Sequence, residues 1–317
     1  MTTRRRIGSS DLEVFPLCLG GNVFGWTADE AASRAVLDAY VAGGGNFIDT
    51  ADSYSAFAPG NRGGESEEIL GPWLASRRDR EQLVVATKVS QHPEFRGLAP
   101  ANVRAAADAS LTRLKAEHID LYYAHYDDPE VPIEDIAGAF SELVDAGKVR
   151  WIGLSNFTPE RIAEWLAAAE TDGLHKPVAL QPHYNLVERD YEQSRRPVAE
   201  RHGLGVVPYF ALAKGFLTGK YRPGVNVDSP RAGGAQAYLT PEGLAVLDAL
   251  DEVAAAHGTS DTAVALAWLA AQPTIVAPIA SARNADQLAG LLASAALELT
   301  PEELERLSTA GRRDGES

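Results

Sequence analysis

The feature that most constrains this chain is an alternation of short apolar runs and longer segments with helical spacing, repeated almost throughout. Residues 83–86 form a continuous apolar run, typical of a strand that is buried on both faces of a parallel sheet. Residues 29–41 carry apolar side chains near the helical period and lead into a run of glycines, a signal that ends helices. Such alternation predicts βα units that build a parallel sheet covered by helices.

The number of these units favours one barrel over two domains. The apolar runs lie at residues 15–19, 46–48, 83–87, 119–123, 149–154, 178–180, 206–209 and 274–277. The helical segments lie at residues 29–41, 65–74, 101–114, 133–144, 158–169, 244–257, 262–271 and 285–293. A (β/α)8 TIM barrel takes about 250 residues, and no Pro- or Ser-rich linker divides these 317 residues. We therefore expect a single α/β barrel domain over residues 1–317.

The net charge and the cysteine content limit the binding partners, metal sites and cellular location that we expect for this protein. The chain has 44 acidic and 29 basic residues and a formal net charge of -15, so we expect neither nucleic acid nor an anionic membrane as a partner. Cys18 is the one cysteine, which excludes an intrachain disulfide and a cysteine-based metal site. No secretory signal and no apolar run of bilayer length stands out, so we expect a cytoplasmic protein.

Polar side chains stand where the expected strands end, and in a TIM barrel those ends form the active site. Asp49 ends the second strand and Tyr54 follows it, while Lys88 and His125 end the third and fourth. The next strands end at Ser155, Asn156, Gln181 and Tyr209.

Each of the first four residues also has an ordinary structural interpretation. Tyr54 could be a packing residue, Lys88 a solvated head on an apolar stem, His125 an interior histidine and Asp49 a turn cap. Together they favour one site, because Lys88 ends an apolar run and needs a partner there, which Asp49 can supply.

The four groups suit proton transfer to an oxygen that gains negative charge. A tyrosine has a reference pKa near ~10, and a nearby ammonium should lower that pKa by favouring the phenolate. Asp49 can hold Lys88 in place, and His125 can orient a substrate oxygen. A carbonyl that receives a hydride is such an oxygen, and a hydride requires a cofactor.

Other reaction classes lack their parts. The chain has no Gly-x-Ser-x-Gly elbow, no His-Glu-x-x-His zinc motif and no Gly-x-Gly-x-x-Gly after its first strand. The segment at residues 215–221 resembles a P-loop, but it is one residue short. It also ends in Tyr221 where a P-loop has the serine or threonine that binds Mg²⁺. A metal-dependent barrel lyase or hydrolase is disfavoured because the seven histidines are scattered, so we expect no metal.

Seven motifs, in order along nearly the whole chain, resemble those of the aldo-keto reductases. They are FIDTADSY at 47–54, GESEEILG at 64–71, VVATK at 84–88, IDLYYAH at 119–125, WIGLSNF at 151–157, QPHYN at 181–185 and GFLTGKY at 215–221. The pattern is most similar to a bacterial branch that also resembles potassium-channel β-subunits.

This resemblance implies a barrel whose floor is closed by an N-terminal hairpin at residues 6–14, and NADP(H) bound across the barrel mouth. It implies that Asp49, Tyr54, Lys88 and His125 are the catalytic residues. The residues implied to contact the cofactor are Gly21, Asn22, Asp49, Ser155, Asn156, Gln181, Tyr209, Leu212, Gly215, Leu217, Lys220, Arg231, Ser281, Arg283 and Gln287.

Within that set, Ser155, Asn156 and Gln181 would hold the nicotinamide carboxamide and Tyr209 would stack on its ring. The last loop departs from the family pattern, since Gly290 and Leu291 replace the usual Glu and Asn that hold adenine. We expect Arg283 to bind the adenosine 2'-phosphate, because a guanidinium can form two parallel hydrogen bonds with a phosphate.

Aromatic residues beside Tyr54 indicate a substrate pocket. Residues 56–62 are an insertion next to Tyr54, and with Phe24, Trp26 and Phe57 they would shape the pocket around Tyr54 and His125. The same aromatics could equally be ordinary packing residues.

The sequence thus predicts an NADPH-dependent reductase of aldehydes or ketones. The alternative is a nucleotide-binding regulatory subunit, as in the channel β-subunits. His125 separates the two, because the channel subunits have no histidine there. Neither the natural substrate nor the oligomeric state follows from these motifs.

Overall fold

The computed structural model describes residues 3–229 and 232–311. The strands are β1 Arg5–Arg6, β2 Glu13–Val14, β3 Cys18–Gly20, β4 Phe47–Asp49, β5 Val84–Val89, β6 Gln91–His92, β7 Phe95–Arg96, β8 Ile119–Ala124, β9 Val149–Ser155, β10 Ala179–Gln181, β11 Gly205–Val206 and β12 Ile279–Ala280. Eight of them form one parallel sheet in the order β11-β10-β9-β8-β5-β4-β3-β12.

The two edges of this sheet meet through the segment that contains β12. Cys18 on β3 pairs with Ile279, and Val206 on β11 forms a parallel bridge with Ile275. The amide of Val276 donates to the Val206 carbonyl at 2.8 Å. The eight-stranded TIM-barrel-like fold predicted from the sequence is confirmed in this sheet and its flanking helices.

Helices follow most of the strands and cover the outside of the sheet. They are α1 Glu30–Ala42, α2 Glu65–Ala75, α3 Pro100–Leu114, α4 Ile133–Asp145, α5 Pro159–Thr171, α6 Tyr191–Ser194, α7 Arg196–His202, α8 Ala232–Gln236, α9 Pro241–His257, α10 Asp261–Ala270, α11 Ala285–Ala293 and α12 Pro301–Thr309. Short 3-10 helices occur at Arg80–Gln82, Ala213–Thr218 and Ser294–Ala296. None of the described helices is both long and apolar enough to span a membrane.

Local signals place the helix starts. Asp29 and Thr158 accept hydrogen bonds from the amides of Ala32 and Arg161, and Pro159 fills the first position of α5, where no amide donor is needed. The missed helix α12 has the same kind of signal, since Thr300 and Glu303 form a capping box before it.

The sheet is buried on both faces, as the apolar runs predict. Along β5, Val85 and Val89 pack in the large cluster between sheet and helices, whereas Val84 and Ala86 pack in a second cluster. That second cluster also holds Ile7, Leu12 and Val14, which lie in or beside the antiparallel pair β1–β2.

The last strand lies later in the chain than predicted. The sequence pattern places it at residues 274–277, but β12 is Ile279–Ala280 and Ile275 forms only an isolated bridge. Pro278 explains the difference, because proline has no amide to donate to a neighbouring strand, although its carbonyl accepts from Cys18 at 2.9 Å.

Candidate active site

A cavity of about 820 Å³ opens at the carboxyl ends of the parallel strands. Its wall includes Gly20 and Asp49 from β3 and β4, His125 just after β8, and Gln181 from β10. Residues from seven further segments complete it, so the strand ends do converge on one space, as a barrel requires.

Strained backbone accompanies this cavity. Ser55, Ser90, Asn156, Phe210 and Lys214 all have left-handed φ values, between 51° and 123°, in loops that follow parallel strands. Such conformations are unfavourable for residues with a Cβ and persist where the surrounding structure enforces them. Their concentration around the strand ends marks these loops as the functional part of the barrel.

Asp49, Tyr54 and Lys88 form one hydrogen-bonded unit. Lys88 Nζ lies 2.6 Å from Asp49 Oδ2, 2.7 Å from the Thr50 carbonyl and 2.8 Å from the Tyr54 hydroxyl. The Tyr54 hydroxyl in turn donates to Asp49 Oδ2 at 3.1 Å, and Gln181 Nε2 donates to Asp49 Oδ1 at 2.9 Å. The lysine is thus an interior group, not a solvated one, because its side chain has no exposure.

The direction of the Tyr54 pKa differs from the sequence expectation. Burial raises the pKa of Tyr54 well above its ordinary value, and the negative charge of Asp49 adds to the rise. Burial also lowers the pKa of Lys88, while Asp49 opposes that change. The expectation was wrong because burial disfavours the phenolate, and the nearby Asp49 carboxylate disfavours it further. At neutral pH Tyr54 is therefore a neutral phenol that retains its proton.

His125 faces the same space as Tyr54. Its ring lies edge-on to the Tyr54 ring, with centroids 6.2 Å apart. Burial, followed by the positive charge of Lys88, lowers the pKa of His125 well below its usual value, so the ring is neutral. Its Nδ1 is buried without a hydrogen-bond partner among the described residues.

The groups expected to hold the carboxamide are tied to each other. Asn156 Nδ2 donates to Ser155 Oγ at 3.0 Å and to the His125 carbonyl at 2.9 Å, and Ser155 Oγ donates to the Gln181 carbonyl at 3.0 Å. The Tyr209 hydroxyl donates to Asn156 Oδ1 at 2.7 Å. These bonds fix the Asn156 side chain, and the bond to Asp49 fixes that of Gln181. Both amides line the cavity, whereas Ser155 itself is fully buried behind it.

His183 lies behind Tyr209 and was missed by the sequence analysis. The two rings stack at a centroid distance of 5.3 Å and an angle of 15°. Its only sequence signal is its place two residues after Gln181 in the QPHYN motif. The stack fixes the plane of the Tyr209 ring that faces the cavity.

The other end of the cavity is basic. Lys214, Lys220 and Arg283 line it, together with the acidic Asp286. Lys214 was also missed, although it directly precedes the GFLTGKY motif. Gly215 has a φ of +99°, a conformation that side chains rarely adopt, so glycine keeps the backbone next to Lys220 open to a ligand.

The remaining predicted residues divide into those on the wall and those behind it. On the wall are Asn22, Leu212, Ser281, Gln287, Trp26 and Phe57. Ser281 Oγ donates to Asn22 Oδ1 at 2.7 Å, and the Arg283 amide donates to Gln287 Oε1 at 3.0 Å. Gly290 and Leu291 also reach the wall.

Besides Lys88 and Ser155, three predicted residues lie outside the cavity lining. Leu217 and Phe24 are fully buried in the main apolar cluster, and Gly21 is enclosed by Ser66 and the Asp49 carbonyl. Arg231 lies outside the described residues. No group of three or more His, Cys, Asp or Glu side chains in the described ranges is arranged to hold a metal ion.

Comparison with known proteins shows which family this chain matches. Residues 16–312 match the family model described as Aldo/keto reductase family. Norsolorinic acid reductase B of Aspergillus parasiticus is 33% identical, with 95% of this chain and 82% of the relative covered. Uncharacterized oxidoreductase YrpG of Bacillus subtilis is 33% identical, with 95% and 94% covered. Protein tas of Escherichia coli is 32% identical, with 94% of each chain covered.

Proposed function

Because this chain belongs to the aldo/keto reductase family, we propose that it reduces aldehydes or ketones to alcohols with NADPH, using Tyr54 as the proton donor. The observation that carries the proposal is the contact of the Tyr54 hydroxyl with Lys88 Nζ at 2.8 Å, since Tyr54 lines the cavity and Lys88 is buried behind it. A neutral phenol in that place has a proton to give and a cation beside the oxygen that loses it.

The donor set of the cavity fits a nicotinamide dinucleotide phosphate. Lys214, Lys220 and Arg283 at one end suit phosphate groups, and the fixed amides of Asn156 and Gln181 at the other suit a carboxamide. The Tyr209 ring, backed by His183, offers a flat face for the nicotinamide. The bound cofactor would supply the hydride.

The remaining steps belong to the protein's own groups. As the carbonyl carbon is reduced, its oxygen gains negative charge and takes the proton from the Tyr54 hydroxyl. Lys88 then stabilises the phenolate, and Asp49 keeps Lys88 in place through the 2.6 Å bond. The neutral His125 ring orients the substrate oxygen through an N–H group.

Residues behind the cavity wall enter this proposal through their backbone or their packing. Gly21 and Leu217 would approach the cofactor with main-chain atoms, and Ser155 would position Gln181. Arg231, outside the described residues, stays a predicted cofactor-binding residue. Phe24 would support the substrate side, since its carbonyl accepts a hydrogen bond from Ser55 next to Tyr54, at 2.7 Å.

We also propose that residues 1–317 form one domain whose floor is closed by the β1–β2 hairpin. The turn at Gly8 packs so tightly against the start of β10 that a Cβ there would come within 2.3 Å of the Val178 carbonyl oxygen. The single buried Cys18 suits a cytoplasmic location.

The test is an assay of NADPH oxidation with a reactive aromatic aldehyde, in which the alcohol product is quantified. Stoichiometric alcohol and NADP⁺ would support the reductase. NADPH binding without oxidation, across a panel of aldehydes, ketones and sugars, would instead indicate the nucleotide-binding regulatory subunit.

A further inference from the structure

Exposed aromatic side chains gather at this one cavity. Among the described residues the large hydrophobic side chains that are exposed are Phe57 at 63%, Val225 at 51%, Tyr126 at 44% and Phe210 at 36%. All three aromatics line the cavity, whereas Val225 does not. Exposed apolar surface concentrated in a concave site indicates a surface that a ligand covers.

Trp26 and Phe57 form an aromatic corner next to the proposed proton donor. Their ring centroids are 4.9 Å apart and the rings stand at 85°. A flat ring system can stack on the face of one and meet the edge of the other, and both arrangements are favourable for aromatic pairs. Trp26, Tyr54 and Phe57 line the same cavity, so a ligand in this corner occupies the space that Tyr54 faces.

Four segments of the cavity lining, including the two that carry Trp26 and Phe57, contribute no charged side chain to the cavity. The lining residues from these segments, 22–27, 53–57, 91 and 125–126, are Asn22, Val23, Trp26, Thr27, Ser53, Tyr54, Ala56, Phe57, Gln91, His125 and Tyr126. His125 is neutral here, because burial lowers its pKa. The charged lining residues come from other segments: Asp49, which Lys88 neutralises, Lys214, Lys220, Arg283 and Asp286.

From this arrangement we infer that the substrate is a flat, uncharged aromatic carbonyl compound, held in the corner of Trp26 and Phe57. The inference rests on the proposed function. An anionic substrate would lose hydration at these segments without gaining a counter-charge from them. Phe57 is thus a specificity-determining residue.

Two pairs of aldehydes test the inference in the wild-type enzyme with NADPH. Naphthaldehyde against hexanal tests the aromatic requirement, and the methyl ester of para-formylbenzoate against para-formylbenzoate itself tests the charge. We expect kcat/KM to favour the first member of each pair by roughly tenfold or more. Naphthaldehyde buries a ring system against the aromatic corner, and the ester avoids the cost of taking a carboxylate out of water.

The variant Phe57→Ala tests whether the preference for the aromatic aldehyde arises at the corner of Trp26 and Phe57. Val225→Ala is its matched control, at an exposed position outside the cavity. In Phe57→Ala the ratio of kcat/KM for naphthaldehyde to that for hexanal should fall about tenfold, mainly through a higher KM for naphthaldehyde. In Val225→Ala the ratio should stay at the wild-type value.

The inference is overturned if the wild type shows no preference within either pair. It is also overturned if Phe57→Ala lowers kcat/KM for naphthaldehyde and for hexanal by the same factor. In those cases turnover persists and the proposed function stands. If no aldehyde is reduced at all, the proposed function fails, and this inference with it.

Discussion

Lys88 Nζ and Asp49 Oδ2 lie 2.6 Å apart in a part of the barrel that solvent does not reach. Removing two charges from water is expensive, and an apolar pair of similar size is often as stable, so such a pair is weak evidence for a role in stability. The hydrogen bonds of both groups to Tyr54 give the pair a functional explanation instead. The first two predictions separate that function from stability.

Tyr54→Phe removes the hydroxyl that gives the proton. Turnover should fall by roughly 10²–10⁴, the usual contribution of general acid catalysis, while NADPH affinity should be little changed. Single-turnover kinetics and a cofactor titration measure the two effects. Tyr122→Phe is the matched control, since it removes another buried hydroxyl, one with no hydrogen-bond partner among the described residues, and should leave turnover intact. A Tyr54→Phe enzyme with near wild-type single-turnover rates would refute the assignment.

Lys88→Met leaves the Asp49 carboxylate buried without its cation. Turnover should be lost, and the free energy of unfolding should fall by about 3–5 kcal/mol, the range for a broken buried pair. The double variant Asp49→Asn, Lys88→Met removes both charges and should recover most of that stability without recovering turnover. Urea unfolding and rate measurements on the same samples check both parts. Normal turnover in Lys88→Met would mean that Tyr54 does not depend on this cation.

His125 should not titrate in the neutral range. Its pKa is lowered by burial and by Lys88, whereas an unperturbed histidine titrates near ~6.5. We therefore expect the pH profile of kcat/KM to lack an ionisation near that value, both in the wild type and in His125→Asn. The variant should have a lower kcat/KM at every pH. A limb near pH ~6.5 that disappears in His125→Asn would show that the ring does gain a proton there.

The same shift has a consequence for stability. When the folded pKa is depressed, the unfolded chain binds the additional proton, so His125 stabilises the fold above the unfolded pKa of ~6.5 and loses that contribution as the pH falls towards its folded value. The wild type should therefore lose more unfolding free energy than His125→Asn between pH ~7 and ~5, by up to about 1.4 kcal/mol per pH unit. Parallel curves for the two proteins would contradict the shift.

Arg283→Ala should separate the two nicotinamide cofactors. The guanidinium is on the cavity wall and forms no ion pair with the described residues, so it is available to a 2'-phosphate. NADPH affinity should weaken by ~1.5–3 kcal/mol, the range for hydrogen bonds to charged groups, and NADH affinity by much less. Titrations with both cofactors measure this, with Arg306→Ala, which removes an exposed arginine paired with Glu252, as the control. Equal losses for both cofactors would remove Arg283 from the phosphate site.

The sequence predicts the fold well where local pattern and burial agree. Helix α11 occupies the predicted residues 285–293, and β5 is buried on both faces as its apolar run indicates. Prediction from the sequence fails where contacts between distant parts of the chain determine the position of an element. Pro278 interrupts the pairing of the last strand, and the segment continues to Ile279 because β3 lies there to receive it.

The candidate site divides in the same way. The order of the motifs along the chain predicts that Asp49, Tyr54, Lys88 and His125 lie at or near strand ends. Their pKa values depend on the distances between the side chains, which the order of the motifs does not give. The expected lowering of the Tyr54 pKa failed because burial raises that pKa, and the Asp49 carboxylate, which accepts from both Tyr54 and Lys88, adds to the rise. His183 and Lys214 escaped notice for a related reason, since neither ends a predicted strand and each gains its place from a loop conformation.

The closure of the sheet by residues 275–280 bears on how the newly made chain acquires its site. Synthesis adds β3 near the start and β12 near the end, yet each is the neighbour of the other in the ring. One edge of β3 therefore stays unpaired until Ile279 has left the ribosome. Long-range pairing of this kind slows folding. Ser281 and Arg283 emerge only after that strand, so the chain completes its ring and its basic cavity end in the same late step.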